Sequence, residues 1–297
     1  LTKFSLLRRR FFKRRLYFSL KRMIEFSAQN LNFKDTLECG QIFRFKPFDG
    51  GFIVFSLGEC AILKSDGQKS IIDCTSDCYF NNFFDLSFDY AAEIEKIKGY
   101  GFEKLTKASS LYPGLRILRQ DKTEALFSFI ISQNNNIPRI KSTIEKTCEK
   151  LGETKTFKGI EYKAFPTAEA FARQNEDFYK SLGYGYRAEY ILNTARLVSD
   201  GKLDLSSLDK LPTPELKAEL LKIKGVGDKV ADCVIFFGFH RSDAFPVDTW
   251  IEKIYKEDFK GALTDRKKIS KYFTDLFKED SGYVQQYLFY AKRNGTL

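Results

Sequence analysis

The chain has 297 residues, 43% of them hydrophobic, enough to bury substantial cores in two or three domains. Its formal net charge of +10 resembles a nucleic-acid footprint, but residues 1–22 hold nine lysines and arginines and no acid, leaving only +1 for the rest. A global basic field is therefore excluded for the folded part, and any grip on DNA has to come from locally placed amides and a few arginines.

Residues 1–23, ending at the only methionine, Met23, read as a basic N-terminal extension. Its expected nature is a non-native upstream stretch or a disordered arm adding salt-sensitive DNA affinity, in preference to an Arg-rich presequence. Arginines interrupt every apolar run there, so it is not a membrane span. Residues 24–118 are expected to form an antiparallel-sheet domain with flanking helices. Between Glu25 and Asp73, runs such as Phe52-Ile53-Val54-Phe55 and Ala61-Ile62-Leu63 lead into or out of the turn signals Asp49-Gly50-Gly51 and Ser65-Asp66-Gly67. From Tyr90 the period becomes helical, starting with Ala91–Lys98, and past Lys122 nearly every apolar stretch reads as helix. The expected fold class is α+β: the sheet domain, then a mainly α-helical region over 119–297 with a helix-hairpin-helix at 213–239.

Six cysteines, Cys39, Cys60, Cys74, Cys78, Cys148 and Cys233, are scattered in a way that suggests reduced intracellular thiols rather than a disulfide framework. Cys74 and Cys78 have no second pair nearby, and His240 is the only histidine, so no metal site is expected.

The most informative segment is Gly225-Val226-Gly227-Asp228-Lys229-Val230-Ala231-Asp232-Cys233, followed by Pro246-Val247-Asp248-Thr249-Trp250. Thr213–Lys222 predicts a helix with Thr213 at its cap and Pro214 as its first residue. Gly225 and Gly227 let the chain reverse tightly, and a second helix follows with Val230, Val234 and Phe237 on one face. The free amides at that helix start make a seat for a phosphate. A Gly-Val-Gly alone fits any helix-turn-helix connection, and Lys229 alone fits an exposed side chain. In water only roughly one lysine in a few thousand is neutral at pH 7, too few for an efficient nucleophile; the positive end of a helix and partial burial would lower its pKa. Asp248 has two readings that can hold together. Thr249 and Glu252 read as a capping box beside which Asp248 merely decorates the helix start, or Asp248 holds a carboxylate where positive charge develops on a sugar.

Taken together, these residues resemble the helix-hairpin-helix DNA glycosylase superfamily, and within it the 8-oxoguanine DNA glycosylases. The resemblance runs from about Phe33 to the C-terminus. It rests on Gly40-Gln41-Ile42-Phe43-Arg44, Gln133-Asn134-Asn135-Asn136-Ile137-Pro138-Arg139, Gly183-Tyr184-Gly185-Tyr186-Arg187, the hairpin with its Pro-Val-Asp-Thr-Trp sequel, and Gly282-Tyr283-Val284-Gln285 to Phe289. It implies Lys229 as Schiff-base nucleophile and Asp248 as stabiliser of oxocarbenium-like charge. The Gly40 carbonyl would accept from N7–H of the lesion, Phe289 and Cys233 would sandwich the flipped base, and Gln285 would read its pairing edge. Asn134 would fill the vacated space with Tyr186 as a wedge, Arg139 and Arg187 would bond the orphaned cytosine, and Gly225, Val226 and Gly227 would seat a phosphate.

The implied partner is double-stranded DNA containing oxidised guanine, bound by a monomer with no cofactor. The four-cysteine iron–sulfur cluster of some relatives has no ligands here, since no cysteine follows Cys233. Two departures stand out: Ile223-Lys224 where relatives commonly place proline before the hairpin, and Trp250 where several use a smaller or imidazole side chain. Two other readings stay open at this point, a monofunctional glycosylase for another damaged base and a non-catalytic DNA-binding module.

Overall fold

The computed structural model describes residues 23–297; residues 1–22 of the expected extension lie outside the described residues, and Met23 opens the first strand. Five strands, β1 (Met23–Ser27), β2 (Phe45–Phe48), β3 (Gly51–Ser56), β4 (Glu59–Ser65) and β5 (Lys69–Cys74), form an antiparallel sheet in the order β1-β5-β4-β3-β2. Asp49 and Gly50, with φ of +46° and +75°, make the two-residue turn that sets Phe48 opposite Gly51. Alternation then sends Val54, Ala61, Leu63 and Ile72 into one core with Leu37, Phe80 and Phe83, and Ile53, Phe55 and Cys60 into another.

Two features differ from the sequence reading. A short helix, α1 (Phe33–Glu38), interrupts the supposed run of strands. Asn32 caps it by accepting from Asp35 N at 3.1 Å, and Phe33 and Leu37 anchor it on the sheet. A hairpin, β6 (Thr154–Phe157) and β7 (Ile160–Lys163), lies within the expected mainly helical part, laying Phe157 and Tyr162 over the second sheet face, where Tyr162 stacks on Phe55 at 5.4 Å.

The remaining helices are α2 (Asp77–Phe83), α3 (Tyr90–Lys98), α4 (Glu103–Leu111), α5 (Lys122–Ile131), α6 (Ile137–Leu151), α7 (Ala168–Ala172), α8 (Glu176–Ser181) and α9 (Arg187–Ser199). They continue through α10 (Leu205–Leu208), α11 (Thr213–Leu221), α12 (Asp228–Cys233), α13 (Thr249–Glu257), α14 (Arg266–Phe277) and α15 (Ser281–Arg293). Nearly every residue of α5 is buried, consistent with its apolar run Ala125–Ile131, broken only by Ser128, and α6, α9, α12 and the π-helical turn Val234–Gly238 pack around it.

The helices build a third core, which also takes in Cys39 and Phe43 from the segment between α1 and β2 and so ties the helical part to the sheet domain. A polar brace joins them as well. Buried Arg44 donates to Leu57 O and Lys163 O and faces Glu124 on α5 at 3.9 Å, while Glu124 Oε2 accepts from Leu57 N at 2.6 Å. Burial pushes the Glu124 carboxyl up to about 7 against the pull of Arg44 and the Leu57 amide.

Candidate active site

Helices α11 and α12 meet at the hairpin. Gly225 has φ +87°, and a Cβ on it would lie 2.3 Å from Tyr190 Cγ, so glycine is required there both for backbone angle and for room. Gly227 caps α12 with ordinary extended angles, and a Cβ on it would meet no atom within 4 Å. It supplies no side-chain cap, leaving the first α12 amides open. Val230, Ala231, Cys233 and Val234 are buried, and Asp232 is held by Lys217 at 2.7 Å with burial raising its carboxyl to about 6. The helix carrying Lys229 is thus fixed from behind. The expected cap of α11 is displaced by one residue: Pro212 is the cap, with Thr213 first and Pro214 second.

Asp248, not Thr249, caps α13. Its Oδ1 accepts from Trp250 N and Ile251 N, both at 3.0 Å, so its carboxylate is oriented by the helix start. Glu252 has no part in a capping box; it pairs instead with Arg266 at 2.8 Å.

Two connected openings meet at this point. An outer cleft of about 640 Å³ is lined by Ser132–Asn135, the α12 start, Val247–Thr249 and Asp265–Lys267. An inner slot is lined by Cys39, Gly40, Phe129, Cys233, Phe237, Pro246, Gln285, Gln286 and Phe289. Lys229 and Asp248 are the two residues that line both. Lys229 Nζ sits 5.8 Å from the Phe129 ring centroid, and beside it burial drives the Cys233 thiol up to about 11 although the proximity of Lys229 pulls the other way. Cys233 is therefore a neutral wall of the slot.

The slot's far end is built by a turn of the N-terminal part. Gly40 has φ +90°, and the adjacent buried Gln41 pins the turn by donating to Thr36 O and Arg116 O and accepting from Leu118 N at 2.8 Å. Gln286 Nε2 donates to Cys39 O at 2.9 Å, tying that turn to α15. Gln285 lines the slot and is buried, and its Oε1 is an acceptor without a hydrogen-bond donor among the described residues.

A ridge borders the cleft. Asn134 adopts φ +42°, is exposed, and donates through Nδ2 to the Tyr186 hydroxyl at 3.3 Å; Tyr186 is 51% exposed. Arg139 Nη2 donates to Gly183 O at 3.2 Å, with its own N–H accepted by Asn136, the cap of α6. Arg187 sits below the ridge. It is buried beneath Tyr186, 4.5 Å from that ring, and donates to Gln133 O, Asn134 O and Tyr184 O, so its donors brace the ridge from below. The structure thus brings together Asn134, Arg139 and Tyr186 on the ridge, Gly40, Cys233, Gln285 and Phe289 in the slot, and Lys229 and Asp248 between.

Comparison with known proteins gives the chain's family. Residues 23–126 match the family model "8-oxoguanine DNA glycosylase, N-terminal domain", and residues 127–279 match "HhH-GPD superfamily base excision DNA repair protein". The chain belongs to the HhH-GPD superfamily. Within it, a "probable N-glycosylase/DNA lyase" of Methanothermobacter thermautotrophicus is 32% identical over 72% of this chain and 74% of that protein. The N-glycosylase/DNA lyase of Saccharomyces cerevisiae is 39% identical over 49% of this chain, a match that spans 42% of the yeast protein. Among solved structures, the 8-oxoguanine glycosylase/lyase of Clostridium acetobutylicum, in complex with double-stranded DNA containing cytosine opposite 8-oxoG, superposes with a TM-score of 0.85. It is 34% identical and covers 90% of this chain and 93% of that one.

In this HhH-GPD protein several wall residues escaped the sequence reading. Phe129 and Phe237 stack on each other at 5.4 Å and line the slot, but no local signal separates them from the other phenylalanines. Lys267 stands at the cleft beside Arg266, in the first turn of α14. No described helix is long and apolar enough to cross a membrane.

Proposed function

We propose that this chain is a bifunctional 8-oxoguanine DNA glycosylase and lyase that acts on double-stranded DNA. The observation that carries this reading is the position of Lys229 and Asp248 at the only junction, among the described residues, shared by the open cleft and the narrow slot. A duplex lying along the cleft would place a sugar at that junction when its base enters the slot.

Expelling the nucleotide costs a few kcal/mol, which Asn134 offsets by filling the vacancy with Tyr186 wedged beside it. Arg139 on the ridge offers guanidinium donors to the orphaned cytosine, and Arg187 holds the Asn134 backbone in place. Inside the slot the base lies between Phe289 and Cys233. Gln285 meets its pairing edge, and the Gly40 carbonyl accepts from N7–H, which guanine lacks. Gly225, Val226 and Gly227 present the hairpin amides to a phosphate of the lesion strand.

The neutral amine of Lys229 donates its lone pair to C1′ as the glycosidic C–N bond breaks and the base leaves with the bonding electrons. The Asp248 carboxylate offsets positive charge on the sugar in that transition. Ring opening, with one proton of the bonded nitrogen passing to the ring oxygen, gives a protonated Schiff base. The expelled base, which left as an anion, takes the C2′ proton, and the resulting enamine expels the 3′ phosphate by β-elimination.

The test is incubation of the purified protein with duplexes carrying 8-oxoguanine or guanine opposite each of the four bases. Release of 8-oxoguanine with strand nicking, and retention of guanine, is the expected result. Absence of 8-oxoguanine release opposite every partner would refute the reading.

A further inference from the structure

We propose that Arg293 is a further base-binding residue, donating a hydrogen bond from Nη1 to a carbonyl oxygen of the extruded base at the Gly40 end of the slot; this rests on the function proposed above. Gln285, Phe289 and Arg293 are spaced four apart on α15 and so share one face of that helix. The first two line the slot, and the third stands behind two of its lining residues, Gly40 and Phe289. The Arg293 guanidinium sits 5.4 Å from the Phe289 and Tyr290 ring centroids, and its Nη2 donates to Glu38 O. Those contacts fix its plane. Its Nη1 is buried with no acceptor.

Gly40 explains where that nitrogen points. A Cβ on Gly40 would lie 3.1 Å from Arg293 Nη1 and 3.5 Å from the Phe289 ring, so glycine, ring and guanidinium meet at one corner of the slot. A cationic donor withdrawn from water without an acceptor is costly, and the same slot holds a matching orphan, the acceptor Gln285 Oε1. An acceptor and a donor left unpaired on either side of one stacking ring are the complement of a flat heterocycle with polar edges. In 8-oxoguanine the N7–H faced by the Gly40 carbonyl is flanked by the O6 and O8 carbonyl oxygens, and both accept hydrogen bonds. A donor seated against Gly40 is next to that edge. The glycine then serves two purposes, admitting the base and admitting the arginine.

The proposal separates two reactions that use the same Lys229. Release of the base needs Arg293, whereas strand cutting at a preformed abasic site has no base to hold. Arg293→Met should lower single-turnover release of 8-oxoguanine by roughly ten- to a hundredfold, the worth of a charge-assisted hydrogen bond. Cleavage of an abasic duplex should stay within about twofold of the original protein, and Arg293→Lys, which keeps a charged donor, should recover part of the release rate. Affinity for a duplex with a tetrahydrofuran abasic analogue should be unchanged in Arg293→Met. If base release is unaffected, or if release, abasic cleavage and tetrahydrofuran binding all fall together, the assignment of Arg293 is overturned while the function stands. If the original protein releases no 8-oxoguanine, both readings fall.

Discussion

The hairpin contains two glycines that the structure assigns to different tasks, and exchanging each for alanine separates them. At Gly225, alanine would have to adopt φ +87° and place its Cβ 2.3 Å from Tyr190 Cγ. The left-handed angle costs roughly 1–2 kcal/mol and overpacking about 1–3 kcal/mol, giving about 2–5 kcal/mol in total. For a folded region of this size that lowers Tm by roughly 4–20 °C. Tyr190 also packs edge-on against Tyr186 at 5.8 Å, so the ridge should shift with it. At Gly227 the angles suit any residue and the Cβ meets nothing, so alanine should change stability by less than about 0.5 kcal/mol. That methyl group would instead stand where a phosphate must approach the α12 amides. Loss of charge-assisted hydrogen bonds there is worth about 1.5–3 kcal/mol, roughly ten- to a hundredfold in Kd. Thermal melts and fluorescence-anisotropy titrations on the same duplex give both quantities. The reasoning fails if Gly227→Ala binds DNA as tightly as the original, or if it melts as early as Gly225→Ala.

Asp248→Asn keeps a side chain that caps helices well, so Tm should barely move, yet excision should fall by about 10²–10³-fold because the charge is gone; an unchanged excision rate would contradict the role given to the carboxylate. Asn134→Gly relieves the φ +42° strain and removes the plug, so release of 8-oxoguanine from duplex DNA should drop while cleavage of a preformed abasic site persists; equal losses in both assays would argue against plugging. Glu124 titrates near 7 when folded against about 4.5 when unfolded, so the folded state binds the extra proton and its contribution to stability is lost as pH rises from about 4.5 through 7. The shift corresponds to at most about 3 kcal/mol, so Glu124→Gln should flatten the fall in urea midpoint between pH 5 and pH 8; Glu93, raised to about 7, and Asp232, raised to about 6, leave a residual slope in the same direction. An identical fall in variant and original would rule out Glu124 as a source.

The hairpin was legible because glycines and a following helix start leave a local mark, and the sheet because its turns carry Asp-Gly pairs. The α1 helix was hidden: its six residues are too few to show a period, and Asn32 was its only start signal. The β6–β7 hairpin was hidden because Phe157 and Tyr162 are ordered by a sheet face distant in sequence. At the start of α13 the Thr249–Glu252 spacing pointed to Thr249 as the cap, and only the backbone angles and the amide bonds to Asp248 move the cap one residue earlier. Arg187 shows a different limit. Nothing local to the Tyr-Gly-Tyr-Arg segment foretells its burial or its three carbonyl partners, which are tertiary facts. The slot phenylalanines, Phe129 and Phe237, look like any core residue until the cavity between them and α15 is seen.

The central claim is that the Lys229 amine bonds to the lesion sugar, and identifying the bonded residue tests it most directly. The protein is incubated with an 8-oxoguanine duplex, reduced with borohydride and digested, and the DNA-linked peptide is sequenced by mass spectrometry. The account predicts a single modified residue, Lys229, and no adduct in Lys229→Gln. An adduct on Lys217, Lys267 or any other lysine, or one that survives in Lys229→Gln, would contradict it.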